Sequence, residues 1–431
     1  MANEITKIKA REVLDSRGRP TVEAEVWAGT KMGRAIAPSG ASTGIHEALE
    51  IRDGDPNRYS GKGVLKAVNN VNTLIAKAII GLDCTKQAEI DRVLIELDGT
   101  TNKAKLGANA TVATSMAVAK CAASCKDLPL YRSLNPEASL LPVPMFNVLN
   151  GGKHAGTKLS PQEFMLMPIG APNFHEALRM ASETYHELAK IVMERYGVSA
   201  KNVGDEGGYA PNMTMTSEAL ECLMKAIETA GYSKEISLAM DPAASSFYDG
   251  KKKTYFIDGR SLTAEQLVDF WAKLAETYPI VSIEDPFQEE DFDSFAELVK
   301  KVGSTIQIVG DDIFVTNVKR IKIGVEKCAA NSVLIKLNQI GTITETIDAI
   351  NLTRDNGWTA VVSHRSGETE DSTIADFVVG LGTGQIKTGA PARGERIAKY
   401  NQLLRIEEEL GTNAKYAGKT FCRSGGAYTL R

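Results

Sequence analysis

The stretch IVSIEDPF, residues 280–287, is an apolar, strand-like run that ends abruptly in Glu284 and Asp285 and is stopped by Pro286. The same event recurs through the second half of the chain: SLAM precedes Asp241, IQIVG precedes Asp311, SVLI precedes Lys336, TAVVS precedes His364 and QI precedes Lys387. Successive members of this ladder stand 23 to 43 residues apart. A parallel strand with its returning helix takes about thirty residues. The ladder therefore predicts consecutive βα units of one barrel, with chemistry at the carboxyl ends of its strands.

Strand side chains alternate faces, so residues of like parity share a face. Counting back, Asp241 falls with Ala239 and Ser237, Glu284 with Ser282 and Ile280, Asp311 with Val309 and Gln307, Lys336 with Leu334 and Ser332, and His364 with Val362 and Ala360. Parity thus places Asp241, Glu284, Asp311, Lys336 and His364 in one pocket, and prefers Glu284 to Asp285 and Asp311 to Asp312. Ser237, Ser282, Gln307 and Ser332 predict a polar lumen beneath them. A single acid after a strand can equally cap the next helix; three of matching parity on successive strands make that coincidence harder.

Three carboxylates about 4 to 5 Å apart repel by roughly 3 to 4 kcal/mol per pair at an effective dielectric near 20. A cation must sit between them, and an all-oxygen ligand set selects a hard one, with magnesium the natural choice. Across the lumen stand Lys336 and Lys387. A lysine beside other cations and out of water is expected to have a depressed pKa and to work as a general base. Carboxylates, metal and lysine together suit removal of a proton next to a carboxylate.

The chain of 431 residues is too long for one ordinary core. Two domains are expected, an α+β unit over 1–138 and the α/β barrel over 139–431. Residues 4–13, 20–28 and 32–37 read as an antiparallel meander around the turn signal DSRGRP at 15–20. It runs into PSGASTG, 38–44, a loop read either as plain surface or as a ligand lid. Val64, Val68, Val71, Ile75 and Ile79 make one helical stripe, and Ala108–Cys125 a second, Ala-rich helix. Residues 145–235 fit no clean βα repeat; they hold two long helical patterns, near 173–196 and 216–231, and two Gly-rich loops. NGGKHAG (150–156) lacks the order of a P-loop, and GLGTG (380–384) lacks that of a dinucleotide fingerprint.

Lys and Arg total 50 against 54 Asp and Glu, which leaves no basic field for nucleic acid. MANEITKIK shows no secretory signal and no apolar run is long enough to insert in a membrane. A cytoplasmic protein is expected. The six cysteines form no C-x-x-C and read as reduced packing thiols.

EVLDSRGRPTVE, PSGASTG, NGGKHAG with PQEFM, GDEGGYAPN, SIEDPF, GDDIFVTN, LIKLNQIGT, VSHRSGETED and QIKTGAPARGER together resemble the enolase family over essentially the whole chain. The resemblance implies a TIM-like barrel of irregular ββαα(βα)6 order behind an N-terminal α+β domain of three antiparallel strands and four helices. It also implies a carbon–oxygen lyase of glycolysis that converts 2-phosphoglycerate to phosphoenolpyruvate and water, with two Mg2+ per site. Carried over by position, the metal ligands are Asp241, Glu284 and Asp311, with Ser42 on the second ion. Lys336 is the base at C2, and Lys387 binds the substrate carboxylate. Glu206, helped by Glu163, protonates the leaving C3 hydroxyl. His364, Arg365 and Ser366 orient substrate and grip phosphate, His154 closes over it, and Gln162 supports Glu163. A homodimer or homooctamer is implied. The alternative is a non-catalytic or additional surface-binding role, with secondary exposure at the cell surface. One departure is Ser246, where the family usually has Glu.

Overall fold

The computed structural model describes residues 3–41 and 43–422, with backbone alone at 153 and 154. Strands β1 (Lys7–Leu14), β2 (Pro20–Ala28) and β3 (Lys31–Ile36) form the expected antiparallel meander. The first turn is fixed by Asp15, whose Oδ1 accepts from the backbone N–H of Arg17 at 2.8 Å and of Arg19 at 2.9 Å. Helix Ala108–Cys125 packs on β2 and β3. A Cβ at Gly33 would lie 2.1 Å from the Ala117 carbonyl oxygen, so the absence of a side chain in β3 permits this approach. The Val64 stripe is a helix from Leu65 to Ile79 interrupted by a π turn at Val71–Ile75. Val64, Val71, Ile75 and Ile79 are fully buried along it.

Eight strands then close a barrel: β4 (Val143–Asn150), β5 (Glu163–Met167), β6 (Ser237–Asp241), β7 (Ile280–Glu284), β8 (Gln307–Gly310), β9 (Ser332–Ile335), β10 (Thr359–Ser363) and β11 (Gln385–Lys387). Strand β5 runs antiparallel to both neighbours, whereas β6 to β11 and β4 are parallel. A hairpin needs no crossover helix. The helices Phe174–Tyr196 and Thr216–Ala230 therefore come as a pair before β6, which is why 145–235 breaks the βα rhythm. From β6 onward each strand is followed by its helix, giving ββαα(βα)6.

The lumen is polar where parity predicts it. Ser282 Oγ donates to Gln307 Oε1 at 2.9 Å, and Gln307 Nε2 donates to Ser332 Oγ at 3.1 Å and Thr359 Oγ1 at 2.7 Å. Thr359 also corrects the parity of β10. Thr359 and Val361 face inward, while Ala360 and Val362 join the outer core. His364 therefore does not share an inner face with Val362 and Ala360. The strand ends at Ser363, and the chain turns before His364 reaches the mouth of the barrel.

Candidate active site

Lys387, the last residue of β11, is buried within a carboxylate cage. Its Nζ lies 2.9 Å from Asp241 Oδ2, 2.8 Å from Glu284 Oε2 and 3.2 Å from Glu163 Oε2. Burial alone would push this ammonium down, but Asp241, Glu163 and Glu284 outweigh it and hold the pKa well above the usual lysine value. Burial pushes Glu284 and Glu163 far up, with help from Asp241 and from Glu206 respectively. One cation does not neutralise this group.

Lys336 follows β9 and pairs with Asp311 Oδ2, while Asp311 Oδ1 accepts from Gln339 Nε2 at 2.9 Å. The expectation of a depressed lysine is corrected here. Burial does push Lys336 down, but the Asp311 carboxylate against it more than compensates, and the net displacement is upward. Gln339 is held in turn by Thr316, whose Oγ1 donates to Gln339 Oε1 at 2.8 Å and accepts from the Lys336 backbone N–H at 2.9 Å.

Asp285, which parity passed over for Glu284, braces the turn after β8. Its two oxygens accept from the backbone N–H of Asp311 at 2.8 Å and of Asp312 at 2.9 Å. Oxygens of Asp285, Asp311 and Asp312 converge within 4.8 Å, so proximity alone would choose this trio for a cation. Both Asp285 oxygens are already engaged by backbone N–H groups in fixing the loop, as both Asp311 oxygens are by the Gln339 and Lys336 side chains. Asp312 is pushed up to about 8 by burial and by Asp311. The mouth of the barrel thus holds more carboxylate than cation in an all-oxygen donor set, and such a set fits a hard divalent ion.

Glu206 and His364 adjoin the Glu163 side of the carboxylate cage. Glu206 Oε2 accepts from Asn147 Nδ2 at 3.0 Å and lies 3.3 Å from His364 Nε2. His364 Nδ1 lies 2.6 Å from Arg396 Nη1. A guanidinium can only donate, so Nδ1 accepts and the ring hydrogen sits on Nε2, toward Glu206. Burial drives His364 down to about 4, which keeps the imidazole neutral. Arg396 also donates to the carbonyl oxygens of Arg365 at 2.7 Å, Asp205 at 3.0 Å and Ser366 at 2.6 Å. It ties both Gly-rich and HRS loops to one fully buried side chain. Gln162 lines the cleft, and its buried Oε1 has no hydrogen-bond partner among the described residues.

The N-terminal domain reaches this cleft. Arg365 forms a forked pair with Glu47 at 2.8 and 3.0 Å and donates to Asn338 Oδ1 at 2.9 Å. Ser366 Oγ accepts from the Ala41 backbone N–H at 2.6 Å. Ser42 lies outside the described residues, as does the side chain of His154. Ser246 is half-buried in the turn after β6, beyond the carboxylate cage. Arg396, Glu47, Asn147 and Gln339 were not singled out in the sequence; each reads there as an ordinary helix or strand polar residue.

Acids and lysines gathered at the carboxyl ends of a closed barrel's strands define an α/β-barrel enzyme. The enolase C-terminal TIM barrel domain matches residues 138–424, and the enolase N-terminal domain matches residues 5–134. The enolase of Thermococcus kodakarensis is 58% identical over 421 residues, 97% of this chain and 98% of that one. That of Methanocaldococcus jannaschii is 58% identical over 420 residues, again 97% and 98%. The chain belongs to the enolase family, and it is an enzyme of that family's class, a phosphopyruvate hydratase.

Proposed function

We propose that the chain reversibly dehydrates 2-phosphoglycerate to phosphoenolpyruvate in glycolysis and gluconeogenesis, with 139–431 as the catalytic barrel and 1–138 as its cap. One observation carries the mechanism. Lys336 follows β9 and Glu163, which this reading pairs with the acid Glu206, opens β5, four strands apart in an eight-stranded barrel, so the base faces that carboxylate pair across the barrel. A substrate lying between them loses the C2 proton to Lys336 Nζ from one side. It loses the C3 hydroxyl, protonated by Glu206, on the other.

The rest of the site serves that geometry. Glu163, whose pKa burial and Glu206 raise, is the carboxyl that assists Glu206 beside the leaving group. His364 keeps its Nε2–H on the Glu206 side, 3.3 Å from Oε2. Lys387 exchanges part of its carboxylate cage for the substrate carboxylate. Arg365, Ser366 and His154 hold the phosphate, and the partnerless Oε1 of Gln162 takes a substrate hydroxyl. Two magnesium ions, one on Asp241, Glu284 and Asp311 and one reached by Ser42 and the substrate phosphate, supply positive charge for a substrate that carries about three negative charges and gains about one more. An ion held by Asp311 would draw that carboxylate away from Lys336, the base of this reading.

The setting is a cytoplasmic homo-oligomer, dimer or octamer, without nucleic-acid or membrane partners. A formal net charge of −4 and, among the described residues, no helix long and apolar enough to cross a membrane support that reading. The test is phosphoenolpyruvate formation from 2-phosphoglycerate, followed by ultraviolet absorbance with and without a magnesium chelator. Turnover that the chelator abolishes is expected; no turnover, or turnover indifferent to it, would overturn the proposal.

A further inference from the structure

Away from the barrel mouth, helix Ala108–Cys125 carries Cys121 and Cys125 one turn apart, and the loop leading into helix Gln87–Asp98 sets Cys84 against them. The three Sγ atoms lie within 4.8 Å of one another, and Cys84 and Cys125 are 3.6 Å apart. Sulfurs bound to one ion at about 2.3 Å stand roughly 3.8 to 4.0 Å apart, so only a small inward adjustment is needed. Cys84 and Cys121 are fully buried and Cys125 is half-buried at the helix end, which makes it the point of entry. The donors are sulfur alone, the reverse of the all-oxygen set at the barrel mouth.

We propose that Cys84, Cys121 and Cys125 form a binding site for a thiophilic metal ion of filled d shell, bound as a tris-thiolate. Soft sulfur ligands select such ions and reject magnesium. The three thiols are not alike: the hydrogen bond with Cys84 lowers Cys121. The hydrogen bond with Cys121, together with burial, pushes Cys84 far up, and burial pushes Cys125 up as well. Binding therefore forms three metal–sulfur bonds and releases three protons to solvent, with no change of oxidation state. Lys31, which pairs with Asp127 at the rim, lies close enough to Cys125 to favour its thiolate.

Cadmium is the probe, added to the full chain under reducing conditions in excess magnesium. A thiolate-to-metal charge-transfer absorbance that saturates at one ion per chain, with three protons released into weak buffer, is expected. Cys121→Ala and Cys125→Ala should each weaken binding by more than an order of magnitude while dehydration proceeds at the unaltered rate. Cys222→Ala and Cys328→Ala should leave the titration unchanged. Cadmium should also shield Cys125 of the unaltered chain from alkylation, a readout independent of any substitution. Absence of the absorbance, its persistence in both cluster variants, or an unshielded Cys125 would overturn the site.

Discussion

Arg396 shows how one side chain can set the chemistry of another without touching substrate. Its guanidinium donates to His364 Nδ1 and to the backbone on both sides of the cleft. Arg396→Lys keeps the charge but loses the fork. The expected result is a kcat lower by about ten- to a hundredfold with little change in KM, and a nitrogen NMR spectrum in which His364 no longer holds the Nε2–H form alone. An unchanged tautomer would deny Arg396 this positioning role. Glu206→Gln should leave exchange of the C2 proton largely intact while dehydration falls by about 10² to 10⁴; normal dehydration would refute the acid assignment. Lys336→Ala should abolish both, and retained exchange would place the base elsewhere. Parity made Asp241, Glu284, Asp311 and Lys336 legible because each closes or directly follows a strand whose last residues alternate, although Ile280–Glu284 carries a bulge that turns Ile280 to the outer core. Arg396 was not legible, because an arginine in GERIAKYNQLL reads as a solvated helix charge until the loops above it are seen.

Elements follow the same division. The ladder of strands and the two long helices between β5 and β6 could be read from periodicity, but the reversed direction of β5 could not, since alternation carries no sign of strand direction. Parity put His364 in the pocket for the wrong reason, since Ala360 and Val362, from which it counts, face outward, and His364 lines the cleft beyond the end of β10 at Ser363. Tertiary burial also gives single residues on these elements a pH signature. Asp376, on helix Thr373–Gly380, is pushed up to about 6 by burial, even though the Tyr131 backbone N–H and Gln402 at 3.1 Å both favour its charge. Its unfolded value is about 3.9, so between these two values the folded state binds more protons than the unfolded chain. The stability it contributes is complete below about pH 4 and is lost as pH rises through about 6. Asp376→Asn should therefore stabilise the chain at pH 8 by up to about 3 kcal/mol, read as a higher urea midpoint, and change it far less at pH 4. A loss of stability at pH 8 would mean that the fold compensates the charge fully.

At the scale of the molecule, the two domains share polar groups that neither could satisfy alone. Helix Ile343–Asp355 follows β9, yet its first amides are capped from three sources. Ile343 N–H donates to Ser115 Oγ at 3.0 Å, Thr344 N–H to Asp91 Oδ2 at 2.9 Å, and Glu345 N–H to Thr342 Oγ1 at 3.2 Å. Ser115 and Asp91 belong to the N-terminal helices, and Asp91 is fully buried. Lys103 with Glu345 at 2.9 Å and Lys120 with Asp371 at 2.8 Å extend the seam, which the Arg365–Glu47 fork carries to the cleft. Separating the domains would expose these ion pairs but also strip a barrel helix of its cap, so the two should unfold together. Fluorescence of Trp27→Phe reports the barrel through Trp271 and Trp358, whereas far-ultraviolet circular dichroism reports the whole chain. The two denaturation curves should coincide. Asp91→Ala leaves buried donors unanswered and should shift both curves by the same amount, about 2 to 4 kcal/mol. A dichroism transition that precedes the barrel fluorescence would show the N-terminal domain melting on its own and would break the link between capping and cooperativity.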